Sequence, residues 1–157
     1  MAQEETTQTE QSGLEWLRVW LAGCPGYERV RELRVDYTEP AQGGGLYPRG
    51  ATELSRSRDI LGGVTVRQRL DFKLNFVLPK APGEDTGATE NAEWLLEFQR
   101  WVQQQSAAGL APHFGNTGRE AETWTAAGGA LQQADEGGLA VYTVALSTEF
   151  TIRYEVA

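Results

Sequence analysis

Val64-Thr65-Val66-Arg67-Gln68-Arg69-Leu70-Asp71-Phe72-Lys73-Leu74-Asn75-Phe76-Val77-Leu78 is the stretch whose reading decides the fold. In an extended chain, successive side chains point to opposite sides. Val64, Val66, Leu70, Phe72, Leu74, Phe76 and Leu78 therefore share one face, with Gln68 the only polar residue among them. Thr65, Arg67, Arg69, Asp71, Lys73 and Asn75 share the other. One dry and one wet face mark a long strand of antiparallel type. Pro79 and Pro82 end it.

The C-terminus repeats the pattern. Ala140, Tyr142, Val144, Leu146, Thr148, Phe150, Ile152, Tyr154 and Val156 all fall on even positions. At ~3.3 Å per residue this run would be ~56 Å long, about three times an ordinary strand. Either a bulge bends it or its end projects beyond the domain; the second is expected, as part of a hairpin that a neighbour covers. Between the two runs, Trp94, Leu95, Phe98, Trp101 and Val102 recur at helical spacing, which predicts a helix from about Thr89 to Ala107, with Gly109 as its C-terminal stop. Residues 80–89 read as an acidic loop and residues 120–127 as a weaker strand. Gly128, Gly129, Gly137 and Gly138 read as a turn region leading into the last strand.

Upstream, Leu14, Leu17 and Leu21 predict a short helix capped by Ser12 and stopped at Gly23-Cys24-Pro25-Gly26. Trp16 and Trp20 lie off the leucine line. They suit either a subunit interface, where Trp is enriched, or the edge of the domain's own core. Leu33-Arg34-Val35-Asp36-Tyr37 alternates as a half-buried strand does. Residues 39–50, with Gly43-Gly44-Gly45 and two prolines, read as a flexible loop, and residues 51–61 as an ambiguous segment compatible with an edge strand. Residues 1–12 hold no apolar periodicity and are expected to be a disordered acidic tail ahead of one domain over 13–157. The class is α+β: a mainly antiparallel sheet with two helices packed on one face.

Composition narrows the function. The 157-residue chain carries a formal net charge of −8, which disfavours duplex nucleic acid and anionic membrane as partners. The charge is uneven: residues 13–80 hold eleven bases and eight acids, residues 81–157 three bases and eleven acids. Opposed ends suit head-to-tail assembly. Arg67, Arg69 and Lys73, together with Trp16 and Trp20, are the candidate subunit-interface residues. No secretory signal and no membrane span are read, and the lone Cys24 leaves no internal disulfide.

No constellation for chemistry emerges. One His and one Cys lie 89 positions apart, too sparse for a zinc site. His113, in Ala-Pro-His-Phe-Gly, reads as a loop histidine with a surface role. Gly43–Gly45 lacks the Lys-Ser/Thr of a phosphate loop and does not enter a helix. Neither catalytic, cofactor-binding nor metal-binding residues are assigned.

In the order and spacing of its elements the chain resembles a family of small prophage proteins of Gram-positive bacteria, the minor capsid or tail completion proteins. They belong with the tail terminator and head–tail joining proteins. The segments that carry the likeness are the opening helix closing on Cys24-Pro25, the Leu33–Tyr37 strand and Asp59-Ile60-Leu61-Gly62-Gly63. Val66-Arg67-Gln68, Glu97-Phe98-Gln99-Arg100-Trp101-Val102-Gln103-Gln104-Gln105, Gly109-Leu110-Ala111-Pro112 and the ending Arg153-Tyr154-Glu155 complete them. The resemblance implies a tail-terminator-like fold and a homo-oligomeric ring, often sixfold, at the head-proximal end of the tail tube. The ring's partners would be the tail tube protein and the head connector or neck protein. Its location would be the virion tail, and the host cytoplasm during assembly. The alternatives are another neck, head-completion or baseplate component and, from a different class, a monomeric carbohydrate- or peptide-binding module using exposed Trp.

Overall fold

The computed structural model describes residues 13–38, 42–79, 85–118, 121–134 and 138–155. The expected N-terminal tail and residues 80–84 of the expected acidic loop lie outside them. Helix α1 spans 13–21. It is followed by a single 3-10 turn (Tyr27–Arg29), strands β1 (Leu33–Val35), β2 (Gly43–Arg58) and β3 (Val64–Pro79), helix α2 (Asp85–Ala107), and strands β4 (Thr123–Ala134) and β5 (Leu139–Tyr154). The five strands form one mixed sheet in the order β1-β2-β3-β5-β4. All pairings are antiparallel except the short parallel one between β1 and β2.

The two amphipathic runs meet at the centre of this sheet. β3 and β5 pair without a register break from Val64↔Tyr154 to Pro79↔Leu139. Residues directly opposite share a face, so the even positions of both strands build one apolar surface. Phe72, Leu74, Phe76 and Leu78 join Ala140, Tyr142, Val144 and Leu146 in it, and both helices lay their buried side chains on it: Leu17, Trp20 and Leu21 from α1, Trp94, Leu95, Phe98 and Val102 from α2. Aromatic contacts interlock the layers, with Phe76 edge-on to both Trp94 (centroids 5.1 Å apart) and Phe98 (5.5 Å). The polar atoms that enter this core are partnered. Asn91 donates from Nδ2 to the Pro79 carbonyl (3.1 Å) and to Tyr142 Oη (3.3 Å). Trp94 donates from Nε1 to the Pro25 carbonyl at 2.7 Å, fastening the end of the α1 segment to α2.

Of four expectations, three are corrected and one is borne out. First, the glycine run is not a flexible loop. Gly43, Gly44 and Gly45 are buried at the start of β2, paired to Val77, Phe76 and Asn75. A Cβ on Gly44 would lie 2.6 Å from Val30 Cγ1 and 2.8 Å from Leu33 Cδ1, so glycine is what lets β1 and its lead-in press onto β2. Second, residues 51–58 are an edge strand, as their reading allowed: they continue β2 as the partner of β3, and the β2 edge beyond Leu46 is left without β1. Third, α2 starts at Asp85, four residues before the predicted start, and Gly128 and Gly129, with φ of 88° and 86°, sit within β4 rather than in a turn. Register shifts follow them, and such bulges blunt an outer strand against unwanted pairing.

The fourth concerns β5, which lies inside the sheet and is paired along its length with β3. Past the start of β4, Asn116 closes its other edge with a side chain: Oδ1 accepts from Arg153 N at 2.7 Å, and Nδ2 donates to the Arg153 carbonyl at 2.9 Å. β5 therefore needs no neighbour. What projects uncovered is the β2–β3 hairpin beside it.

Gly44→Ala should lower stability by about 1–3 kcal/mol, because the added methyl has no room to enter. Urea unfolding monitored by tryptophan fluorescence checks this. A flexible loop at this point would leave the midpoint unchanged.

Candidate self-association surfaces

The β2–β3 turn is built around one carboxylate. Asp59 Oδ1 accepts from the backbone N–H of Leu61 and of Gly63, each at 2.9 Å. Its backbone N–H bonds the Gly63 carbonyl, and Gly62 takes φ of 90°, a left-handed position suited to glycine. Arg153, at the end of β5, donates from Nη2 to Asp59 Oδ2 at 2.5 Å, so the turn is anchored to the neighbouring strand. The Arg153 guanidinium, with help from the Gly63 N–H, holds the Asp59 carboxyl below the ordinary carboxylate range. Two large aliphatic side chains stand at the tip of this fixed turn. Ile60 is 101% exposed and Leu61 86%. Burial is what such side chains normally obtain, and here they obtain none.

The basic residues singled out from the sequence lie together on the polar face of β3, largely answered from within. Arg67 reaches Glu149 at 4.0 Å and donates to Thr151 Oγ1 and the Ala121 carbonyl. Arg69 pairs with Asp71 at 3.1 Å, and Lys73 Nζ stands 4.9 Å from the centre of the Tyr47 ring. These half-exposed pairs each stabilise little, but they spread the positive charge over a mixed face.

The two tryptophans separate. Trp16 remains 40% exposed. Trp20 is buried, stacked on Trp101 with centroids 4.8 Å apart, and donates from Nε1 to Gln105 Oε1 at 3.0 Å. Its place in a subunit interface is withdrawn: the buried stripe of α1 is Leu17, Trp20 and Leu21, continued by Cys24 just past the helix end, at spacing i, i+3, i+4, i+7. Cys24 belongs to the same stripe, and burial pushes its thiol up to about 12.

His113 also differs from expectation. It is half-buried, its Nδ1 bonds Glu122 Oε2, and Glu122 Oε1 accepts from Gly115 N at 2.6 Å. The pair ties the 111–118 crossing to the entry of β4. An oriented histidine is part of a nucleophilic triad, but among the described residues no hydroxyl or thiol is hydrogen-bonded to its ring. Ser106, on the same side of the molecule, accepts from Trp124 N at 2.9 Å. The described residues hold no cluster of three or more metal-ligating side chains, and no described helix is long and apolar enough to cross a membrane.

Beside the C-terminal turn of α2 lies an open, largely apolar groove of about 600 Å³, walled by Ala107, Ala108 and Gly109 on one side and Thr123 and Thr125 on the other, with Trp124 between. It continues along α2 past Ala126 toward Leu96, which is 57% exposed. No family model matches the sequence, and no curated protein matches it.

Because the folded Asp59 carboxyl titrates lower than in the unfolded chain, its contribution to the turn is complete above pH ~4 and is lost as pH falls through the depressed value. The protection of the Gly63 amide, measured against the exchange rate of an unstructured amide at the same pH, should stay constant from neutral pH down to about 4 and fall below it. Asp59→Ala should leave this amide unprotected throughout.

Proposed function

We propose that the chain is a non-catalytic structural protein of a phage tail that acts by self-association. In this reading it is a tail terminator or completion protein, with a tail-terminator-like fold. It forms a ring of copies at the head-proximal end of the tail tube, sits between tube protein and head connector, and reaches the virion tail from the host cytoplasm. The observation that carries the reading is the β2–β3 hairpin, whose tip exposes Ile60 and Leu61 on a turn braced by Asp59 and Arg153. A rigid turn that keeps two aliphatic side chains in water is suited to a protein partner. The unequal charge of the two halves adds support, since copies meeting head to tail bring unlike surfaces together.

The competing module that binds sugars or peptides on exposed Trp loses its platform. Trp20, Trp94 and Trp124 are buried, Trp101 is half-buried, and only Trp16 offers much of its ring.

Removal of the gene from a phage that carries it should yield tails of uncontrolled length or tails not joined to heads, seen by negative-stain microscopy. Normal-length tails joined to heads would overturn the terminator role. Arg67→Glu with Arg69→Glu should weaken copy-to-copy association several-fold while thermal unfolding shifts by only a few degrees, since the internal pairs they break are half-exposed. Unchanged assembly would remove the basic face from the interface.

A further inference from the structure

We infer that the Ile60–Leu61 tip of one copy inserts into the groove between α2 and β4 of a second copy. This rests on the self-association reading above and assigns its two contact surfaces.

Reach excludes the tip's own groove. Val64 pairs with Tyr154, and Thr123 with Glu149, so the hairpin runs five residues, about 17 Å, past the start of β4. β3 and β5 also stand between β2 and β4, a lateral separation of about 14 Å. Asp59 and Arg153 brace the turn in that position. A second molecule meets no such constraint.

The surfaces match in kind. Two branched aliphatic side chains face a largely apolar groove of about 600 Å³ with Trp124 in its lining. Leu96, 57% exposed, extends the apolar surface along α2. They match in charge as well. β2, β3 and their turn carry six bases and three acids, whereas residues 85–134 carry two bases and six acids. An apolar anchor entering an apolar groove concentrates binding energy at a protein interface, and the unlike charge of the two segments favours their approach. Tip and groove are different patches of the same molecule, so repetition of the contact gives a ring if the rotation closes.

The test compares the intact chain with Ile60→Asp/Leu61→Asp and with Ala108→Arg, an exposed groove position, by sedimentation velocity over a concentration series. Each variant should weaken association at least tenfold while circular dichroism and the unfolding midpoint stay as in the parent. Copies carrying Leu61→Cys, mixed with copies carrying Ala108→Cys, should give a mixed dimer with a short bismaleimide, because buried Cys24 with its raised pKa is slow to compete. Association that persists in both surface variants, with no mixed dimer, overturns the tip–groove contact and leaves the tail reading standing on another surface. A chain that stays monomeric and uncross-linked at every concentration overturns both.

Discussion

The unbroken pairing of β3 with β5 is the constraint on which the rest of the molecule depends. Because neither strand is bulged against the other, all their even residues stay on one side over the full length. A slip of β5 by one position against β3 would turn Leu146, Val144 and Tyr142 to the polar face, away from Phe72, Leu74 and Phe76. Both helices, the aromatic contacts and the Asn91–Tyr142 bond are set against that single surface. The polar face, the projecting turn and the groove beside α2 are what remains once it is covered.

The parts of the fold legible in the sequence are those in which one periodicity runs long enough to be unambiguous: β3, β5 and α2. The rest was obscured for identifiable reasons. Gly43-Gly44-Gly45 carries the composition of a turn, yet it is glycine because Val30 and Leu33 lie where side chains would be. The distal half of β2 is exposed along residues 51–58, so no burial-driven alternation was there to read. β1 pairs with β2 over only three positions, too few to announce direction. The Asn116 closure of β5 is made by a side chain in a crossing segment, which no strand pattern records.

The candidate surfaces were legible unevenly. Arg67, Arg69 and Lys73 do share a face, as alternation requires, but their internal partners Glu149, Asp71 and Tyr47 come from pairings that only the register reveals. Trp20 was open to either reading because Leu14, Leu17 and Leu21 form a helical line of their own, whereas the buried residues follow the denser stripe that ends at Cys24. Ile60-Leu61 carried a usable signal of its own. Two large aliphatic residues set between Asp59 and Gly62-Gly63 lie inside a turn, where a single domain has no means to bury them.

The central pairing also bears on how the chain comes to be folded in a cell. The residues that meet in β3 and β5 lie sixty to ninety positions apart, whereas β2 and β3 are joined by a short turn. A growing chain can close the β2–β3 hairpin early, but its oily side must wait until β5 has left the ribosome. Over that interval the nascent protein carries an unmatched apolar ribbon, the kind of surface that draws chaperones and invites clumping. A chain cut short before β5 would keep that ribbon exposed indefinitely.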